Sequence, residues 1–440
     1  MPGEDEIASV AALTHEGEGV VRAGKTAFVA GALPGETIRF RRTRRHRQHD
    51  DGELLEVIEP SSVRVVPKCR HFGTCGGCAL QHLSPEAQLQ AKHTELRENF
   101  ERLARVVPQE WLEPLRGPVW SYRRRARLGA KYVIKKGRVV VGFRERLAPY
   151  VADVQRCEVL SPPVGEQVGA LAGLLMELSI REKLPQIEVA VADNAVALVL
   201  RVLEPPTPED RRKLLEFAQA HGVRFYLQTK GLDSVRPLID EPVEPLLYRL
   251  PQFGLELEFA PTDFVQINGA VNEALVAKAV QLLELSADST VLDLFCGLGN
   301  FTLALAKRAR HVAGVEGDRV LVERARGNAR RNGIQNAEFH VADLSQPVDR
   351  SAAWMQQPFT HVLIDPPRAG AREMLPAIAA LRPESVLYIS CHPGSLARDV
   401  GILVHELGFV VRAAGVLDMF PHTAHVESMA LLQPGGAGNS

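Results

Sequence analysis

Two hydrophobic periods alternate in the C-terminal part of the chain. From Gln266 onward, short apolar runs are followed by segments in which apolar residues recur every three or four positions. The apolar runs predict strands at residues 290–294, 311–315, 337–341, 361–364 and 385–390. The apolar face of the first predicted helix carries Val271, Leu275, Val276, Ala279 and Leu283. This alternation predicts an α/β fold with a parallel, doubly wound sheet whose ligands bind at the carboxyl ends of the strands.

The preceding sequence has two other patterns. Up to about residue 60, short strand candidates at 26–29, 37–42 and 54–58 are separated by turn signals, which predicts a small OB-like β-barrel. Ser84 and Pro85 begin a predicted helix over residues 84–105. A mixed α+β segment follows, with strands predicted at 138–143, 196–202 and 224–228 and a helix at 208–221. We therefore expect three units, at residues 1–62, 63–262 and 263–440, with helix 84–105 as a candidate to pack on the third.

A glycine turn follows the first strand of the C-terminal unit. Gly297 and Gly299 allow a ligand to approach the backbone, and the helix that begins next favours anionic groups at its N-terminus. Thr302 stands where a dinucleotide fingerprint has its third glycine, and no Gly-Lys-Ser/Thr completes a P-loop. The turn alone is therefore a weak signal.

Acidic residues end the neighbouring strands. Glu316 ends the second strand, where a carboxylate can accept both hydroxyls of a ribose, and Asp343 ends the third, where it can accept from an adenine amino group. With Asp293 and the glycine turn, these positions look like the S-adenosylmethionine site of Rossmann-like methyltransferases. The alternative is an α/β core without a nucleotide, with acids on its surface.

Strands four and five end in residues that suit chemistry. Asp365 is followed by two prolines, which fix its backbone so that the carboxylate faces the cofactor, and Arg368 replaces the aromatic residue of amino-methyltransferases, which argues against adenine N6 chemistry. Cys391 follows strand five. An isolated cysteine is by default a small buried hydrophobe. Here it stands beside His392 and just before a helix, so we expect the helix dipole to lower its pKa.

A thiolate, a carboxylate and a methyl sulfonium in one crevice suit methylation of C5 of uracil. A thiolate that adds to C6 makes C5 nucleophilic, and a base must then remove the C5 proton so that the thiol can leave. Cys391 is the candidate nucleophile. Glu427, just before the last strand, is the candidate base, although a lone glutamate is usually a surface charge.

Cysteine usage and the N-terminus bear on the compartment. The chain has 6 cysteines, and three of them form a Cys-x5-Cys-x2-Cys cluster. The acidic start of the chain, MPGEDEIAS, carries no apolar signal region, so we expect a cytoplasmic protein with no membrane partner. In a reducing compartment the cluster favours metal or cluster ligation over disulfides, and the spacing alone leaves both zinc and iron–sulfur open.

Positive charge is concentrated in two blocks, although the formal net charge is only -1. Six arginines lie between Arg39 and Arg47, with no acid between Ile38 and His49. Residues 121–146 carry ten Lys or Arg and one acid, Glu145. Two such blocks with interleaved aromatic residues predict a nucleic-acid partner, and a solvated arginine face is the alternative.

These motifs together resemble the bacterial RNA uracil-5 methyltransferases, in particular the branch that acts on 23S rRNA and combines a TRAM barrel, an iron–sulfur central domain and a methyltransferase domain. The resemblance rests on Phe-x-Gln-x-Asn (264–268), Asp-Leu-Phe-Cys-Gly-x-Gly-Asn-Phe-Thr (293–302), Asp-Pro-Pro-Arg (365–368), Ser-Cys-x-Pro (390–393) and His-x-Glu (425–427). Two N-terminal segments, 17–21 and 32–37, resemble the TRAM module.

The resemblance implies an enzyme that methylates C5 of a uridine in 23S rRNA, at the U1939-type site, through a covalent cysteine adduct. It implies Cys391 as nucleophile and Glu427 as base. The cofactor contacts that it implies are Gln266, Phe295, Asn300, Glu316, Asp343 and Asp365. The ligands that it implies for a [4Fe–4S] cluster are Cys69, Cys75, Cys78 and Cys157. We further expect a monomer.

One departure and three alternatives accompany the resemblance. The family pattern has Asn after the nucleophile, where this chain has His392. The tRNA branch lacks both the barrel and the cysteine cluster, so residues 1–78 argue against it. Another 23S branch has the cluster without the barrel, so the N-terminal sixty residues disfavour it. A non-catalytic RNA-binding or assembly factor would not need to retain both Cys391 and Glu427.

Overall fold

The computed structural model describes residues 4–347 and 351–435. The strands of the N-terminal and central parts are β1 (Asp5–Leu13), β2 (Glu18–Val21), β3 (Ala27–Ala30), β4 (Thr37–Arg45), β5 (Asp50–Glu59), β6 (Glu110–Trp111), β7 (Arg125–Val133), β8 (Arg138–Gly142), β9 (Gln186–Val191), β10 (Val196–Arg201), β11 (Arg224–Gln228), β12 (Arg236–Pro237), β13 (Leu246–Leu250) and β14 (Leu255–Phe259). The C-terminal strands are β15 (Thr290–Leu294), β16 (His311–Glu316), β17 (Ala337–Val341), β18 (His361–Ile364), β19 (Ser385–Ser390), β20 (Phe409–Leu417) and β21 (Glu427–Pro434). The helices are α1 (Pro85–Asn99), α2 (Val164–Met176), α3 (Pro208–His221), α4 (Gly269–Leu282), α5 (Thr302–Ala306), α6 (Arg319–Arg331), α7 (Leu375–Ala380) and α8 (Pro393–His405).

The first five strands close into a barrel in the order β1-β2-β3-β5-β4. Its interior is filled by fully buried side chains such as Val29 and Phe40. On β5, a Cβ at Gly52 would stand 2.8 Å from Val29 Cγ2 and 2.9 Å from Phe40 Cδ2, so that position has room only for glycine. The predicted barrel is confirmed. Strand β1 was not predicted, and its apolar Ile7 is 62% exposed.

Helix α1 lies on the C-terminal sheet. The Ser84 Oγ accepts from the Ala87 N–H at 3.3 Å and caps the helix, as the sequence predicted. The helix continues as a π-helical turn, Phe100–Ala104, and its buried residues Leu96 and Phe100 share one hydrophobic cluster with α8 and the last strands. Helix α1 therefore completes the core of the C-terminal unit, although it comes before that unit in the sequence.

The central part forms a six-stranded sheet in the order β12-β11-β10-β9-β7-β8. Helices α2 and α3 bury their apolar residues against it, in a cluster that contains Leu171, Leu175 and Leu214. The following hairpin, β13–β14, shares its cluster with α4 and α5 instead. None of the described helices is both long and apolar enough to span a bilayer.

The C-terminal sheet has the order β17-β16-β15-β18-β19-β21-β20-β6. Its first five strands are mutually parallel, as the sequence predicted. The hairpin β20–β21 was not predicted to insert, and it places β21 antiparallel between β19 and β20. Strand order reverses between β15 and β18, so a ligand crevice opens at their carboxyl ends.

Candidate active site

The glycine turn after β15 is held to the end of β16 by a carboxylate. Glu316 Oε2 accepts from the Gly297 N–H at 3.1 Å, and its Oε1 accepts from the Asp318 N–H at 3.0 Å. Gly297 and Gly299 have φ values of 55° and 96°, and Phe295 has a φ of 63° although it carries a side chain. Left-handed backbone at a non-glycine residue is costly and tends to occur at functional sites. The turn is thus shaped for close approach by a ligand.

Two acids stand at the reversal point of the sheet, Asp293 within β15 and the half-buried Asp365 directly after β18. Asp293 is fully buried; its Oδ2 accepts from Thr302 Oγ1 at 2.5 Å, while its Oδ1 has no hydrogen-bond partner in the described part of the chain. Burial raises the pKa of Asp293 to about 7, and the charges of Asp365 and Glu316 add to this effect. Burial alone raises the pKa of Asp365 to about 7. Clustered acids of this kind fit a cationic ligand, such as the sulfonium and ammonium groups of S-adenosylmethionine.

The other residues implied as cofactor contacts are divided. Asn300 exchanges two hydrogen bonds with the Asn272 amide, at 2.9 and 3.0 Å, and its Oδ1 also accepts from the Tyr248 hydroxyl at 3.0 Å. Its side chain thus braces the glycine turn against α4 and the β13–β14 hairpin. Gln266 lines a small cavity beside Tyr248 and Asn272, and so lies next to that brace.

Two more of the implied contacts stand at the rim of the crevice. Phe295 is half-buried and packs against the cluster under β18 and β19. Asp343 is exposed, and its Oδ1 accepts from both the Ser345 N–H at 2.9 Å and the Ser345 Oγ at 2.6 Å. These hydrogen bonds lower the pKa of Asp343 and keep its other oxygen available to a donor.

Cys391 and Glu427 are brought together by strand register. β19 and β21 pair Ser390 with Ser428, and the Ser428 Oγ donates to the Ser390 carbonyl at 3.2 Å. Cys391 directly follows β19 and Glu427 is the first residue of β21, so continuing this register places them opposite each other, and the charge of Glu427 acts on the Cys391 thiol. The sequence named both residues without any signal for this pairing.

The thiol of Cys391 is less acidic than the sequence analysis expected. Burial, the largest cause, and the nearby charges of Glu427 and Asp365 raise its pKa to about 11, against a smaller opposite effect of Arg368. Burial likewise raises the pKa of Glu427 well above its ordinary value, and Asp365 contributes. The expectation of a pKa lowered by the helix dipole is wrong, because burial and two acids outweigh one helix N-terminus.

His392 replaces the asparagine of the family pattern without loss of its capping bond. Its Nδ1 accepts from the Ser395 N–H at 3.1 Å and so caps α8. The backbone N–H of His392 donates to Ser390 Oγ at 3.2 Å. An imidazole nitrogen thus does what an amide oxygen would do, and the backbone around Cys391 stays fixed.

The loop after Asp365 is fastened to α8 by a buried acid. Asp399 Oδ2 accepts from the Tyr388 hydroxyl at 2.6 Å and from the Ala371 N–H at 2.8 Å. Tyr388 and Asp399 are fully buried. The Asp365 loop and the Cys391 helix therefore keep a fixed relation to each other.

A cleft with a volume of about 720 Å³ leads to the nucleophile. Its walls come from the β1–β2 turn of the barrel, from α1 and from the loop before β21. Cys391, Arg368, His392 and His425 all line it. The cleft is wide enough for a nucleotide to enter between the barrel and the C-terminal sheet.

The four cysteines implied as metal ligands gather at one small cavity, which is also lined by His71 and Gln81. Burial raises the pKa of Cys75 to about 11 and that of Cys78 to about 12, and the other thiols contribute to both shifts. Four clustered thiols held in a poorly hydrated pocket suit a thiophilic metal or cluster, which would stabilise the thiolate forms. Cys296, in contrast, is a buried packing residue of the glycine turn.

Each basic block pairs part of its charge with nearby acids. In the second, Arg124 pairs with Asp193 at 2.7 Å and Arg127 pairs with Glu188 at 2.9 Å. In the first, the described acids leave three exposed arginines at the β4–β5 hairpin without an ion pair within 4.0 Å, namely Arg44, Arg45 and Arg47. The hairpin is therefore the part of the barrel with the most available positive charge.

Comparison with known proteins places this geometry in a family. Residues 254–434 match the family model described as tRNA (Uracil-5-)-methyltransferase. The solved tRNA (uracil-54, C5)-methyltransferase of Pyrococcus abyssi, in complex with S-adenosyl-L-homocysteine, aligns with a TM-score of 0.73 at 25% identity, over 98% of this chain and 100% of that one. Fold and site thus define the chain as a Rossmann-like, S-adenosylmethionine-dependent methyltransferase.

Curated relatives narrow the class. The chain is 48% identical over 429 residues to a protein of Xanthomonas euvesicatoria named 23S rRNA (uracil(1939)-C(5))-methyltransferase RlmD, with 97% of this chain and 96% of the relative covered. The protein of that name from Methylococcus capsulatus is also 48% identical, with 98% of each chain covered. The chain belongs to this family of 23S rRNA (uracil-C5)-methyltransferases.

Proposed function

We propose that this protein transfers a methyl group from S-adenosylmethionine to C5 of a uridine in 23S rRNA, the one that the names of its relatives give as uracil 1939. The observation that carries the chemistry is the position of Cys391, which lines the cleft and lies opposite Glu427 where β19 and β21 pair, with Asp365 close enough for its charge to act on both. The identity of 48% to the rRNA enzymes, against 25% to the solved tRNA enzyme, favours rRNA as substrate.

The roles of the side chains follow from their positions. Cys391 gives its proton to a neighbouring carboxylate, and the resulting thiolate adds to C6 of the uracil. This addition makes C5 nucleophilic. The bound cofactor supplies the methyl group as an electrophile. Glu427, in its carboxylate form, then removes the C5 proton, and Cys391 leaves as a thiolate. Asp293, Glu316 and Asp365 hold the cofactor, with Gln266, Phe295, Asn300 and Asp343 around it.

The proposal is tested by incubation of the protein with unmodified 23S rRNA and methyl-labelled S-adenosylmethionine. Label in C5-methyluridine at a single position, mapped by nuclease digestion and mass spectrometry, is the expected result. Unmodified tRNA serves as the matched substrate control. Absence of label from both RNAs would favour a non-catalytic RNA-binding factor.

Asp293→Asn should separate cofactor binding from stability. The folded-state pKa of this acid, about 7, is above its ordinary value of 3.8, so its ionisation opposes folding increasingly as pH rises through that interval. The amide removes this penalty. We expect the ligand-free variant to melt at or above the wild-type temperature at pH 8, while its affinity for S-adenosylmethionine falls about 10-fold or more because a charge–charge contact is lost.

Thermal melting from pH 5 to pH 8 and calorimetric titration of the cofactor measure the two effects. Asp288→Asn, at an exposed site before β15, is the matched control and should change neither. A variant that binds the cofactor as tightly as the wild type would contradict the assignment of Asp293 to the cofactor site.

The four cysteines are proposed to hold a [4Fe–4S] cluster. Four thiolates around one zinc ion, at about 2.3 Å each, would form a tetrahedron with edges of about 3.8 Å. In the described part of the chain, no three of the cysteine Sγ atoms lie within 4.8 Å of one another; the group of three ligand atoms that does so is at His46, His49 and Asp51. This wider spacing favours four thiolates that each bind a different iron.

Protein purified without oxygen should be brown and contain about four iron atoms per chain, because a [4Fe–4S] cluster is held by four cysteines. Iron and acid-labile sulfide assays and the visible spectrum measure this. Cys78→Ser should lose the colour, whereas Cys296→Ser should keep it. A colourless protein with one zinc per chain would overturn the assignment.

The barrel hairpin is proposed to bind the rRNA backbone. Replacing Arg44, Arg45 and Arg47 with Gln should weaken rRNA binding and reduce the slope of log affinity against log salt by roughly 2 to 3, since each phosphate contact contributes about 0.7 to 0.9. Filter binding at several salt concentrations measures this slope. The control replaces three exposed basic residues in the connection between α5 and β16, Lys307, Arg308 and Arg310. Equal slopes for both triple variants would contradict the assignment.

Three further parts of the proposal concern organisation. We propose the division into a TRAM-like barrel (1–62), a cluster-bearing central domain (63–262) and a methyltransferase domain (263–440), with α1 packed on the last. We also propose that the protein acts as a monomer in the cytoplasm. Sedimentation of the purified holoenzyme tests the oligomeric state.

A further inference from the structure

The loop that leads to Glu427 is held from outside the C-terminal sheet. Residues 418–426, called the 418–426 loop, connect β20 to β21. At its centre, the His422 carbonyl accepts from the Ala79 N–H at 2.8 Å and from the Leu80 N–H at 3.0 Å. These donors follow Cys78 directly. The segment with three of the four clustered cysteines is thus hydrogen-bonded to the loop that precedes the proposed base.

Gln88 of α1 completes this attachment. Its Oε1 accepts from the His422 N–H at 2.7 Å. Its Nε2 donates to the Leu80 and Leu83 carbonyls at 3.0 and 2.8 Å, and lies 3.1 Å from His422 Nδ1. The side chain is only 1% exposed. One buried amide therefore joins the cysteine segment, α1 and the 418–426 loop, and its loss would leave several buried polar groups unpaired.

Other contacts hold the same loop. One helical turn after Gln88, Lys92 Nζ donates to Asp418 Oδ1 at 2.8 Å and to the Phe420 carbonyl at 2.9 Å. The Tyr122 hydroxyl donates to the Pro421 carbonyl at 2.9 Å. His422 itself has a φ of 65°, a left-handed conformation that a non-glycine residue keeps only when its surroundings impose it.

We propose that Gln88 is a positioning residue for the proton-abstraction step, which acts on Glu427 through the 418–426 loop. Glu427 directly follows this loop and is the first residue of β21, where it pairs with Leu417 of β20, whereas Cys391 lies between β19 and the capped N-terminus of α8. Loosening the loop therefore displaces the base relative to the nucleophile. A displacement of about 1 Å at a catalytic group can cost about 100-fold in rate. This inference rests on the proposed function, because it assigns a step of that reaction.

Gln88→Met, which keeps the side-chain length without hydrogen bonds, tests the inference. We expect cofactor and rRNA affinities within about 2-fold of wild type, and product release slowed about 10-fold to 100-fold. Because C5 is methylated before its proton leaves, a methylated covalent enzyme–RNA adduct should accumulate. Denaturing electrophoresis with methyl-labelled cofactor measures the adduct, and tritium release from RNA carrying [5-³H]uridine measures proton abstraction.

Two comparisons make the result decisive. Tyr122→Phe removes one milder contact with the same loop and should show the same signature at smaller amplitude, even where Gln88→Met fails to fold. Gln167→Met, a similar substitution on α2, should behave as wild type. Adduct formation and tritium release that fall in parallel in both loop variants, or normal turnover in both, would overturn the inference. If the wild type makes no C5-methyluridine, the proposed function fails instead.

Discussion

Cys391→Ala is expected to abolish both the covalent RNA adduct and methyl transfer, with a rate loss of about 10⁴-fold or more. The reason is electronic, because C5 of uracil does not attack a methyl group until a nucleophile has added to C6. Single-turnover methylation of 23S rRNA, with denaturing electrophoresis of the enzyme–RNA complex, measures both effects. Cofactor binding should persist, since the cofactor crevice is built around Asp293 and Glu316.

Two other cysteine substitutions in the C-terminal unit serve as controls for this variant. Cys391→Ser should be as inactive as the alanine variant, because a hydroxyl is a far poorer nucleophile than a thiolate. Cys296→Ala removes another thiol of the C-terminal unit, one that packs at the core, and should retain activity with a small loss of stability. Substantial methylation by Cys391→Ala would refute the covalent mechanism.

Glu427→Gln should trap the enzyme on its substrate. The variant is expected to form the adduct and transfer one methyl group, but to release product at least about 100-fold more slowly, because an amide does not accept the C5 proton. Folding should be preserved. Burial raises the pKa of Glu427 well above its ordinary value, so the neutral acid, which glutamine mimics, already suits this site.

The measurement is a time course of adduct and free C5-methyluridine with methyl-labelled cofactor. Glu406→Gln, at an exposed position after α8, is the matched control and should turn over normally. If Glu427→Gln releases product at the wild-type rate, another group is the base. The charge of Asp365 acts on Glu427, so Asp365 would be the next candidate for the base.

Much of the fold follows from local sequence patterns. The strands at 290–294, 337–341, 361–364 and 385–390 occupy the predicted residues, because each is a short run in which apolar residues predominate, bounded by turn signals. The N-terminus of α1 was found from its cap, Ser84, and from Pro85. The insertion of β21 between β19 and β20 could not be predicted, since strand order is set by tertiary packing.

The site was predictable as a set of residues but not as an arrangement. Motifs identified Cys391 and Glu427, yet their facing positions depend on the register of two strands that are distant in sequence. The direction of the Cys391 pKa shift was wrong because the sequence shows a helix N-terminus but not the burial or the acids around it. Gln88 carried no sequence signal for its link to the 418–426 loop, because its partner there, His422, lies 334 residues away.

The pairing of β19 with β21 has a consequence for how this enzyme tolerates change. Neighbouring side chains on a strand point to opposite faces, so a shift of β21 by one position would turn Glu427 away from the thiol and bury its neighbour in its place. Substitutions along the strand that preserve size leave this alternation intact. A single inserted or deleted residue breaks the alternation. Turnover therefore depends more on the length of this strand than on its composition.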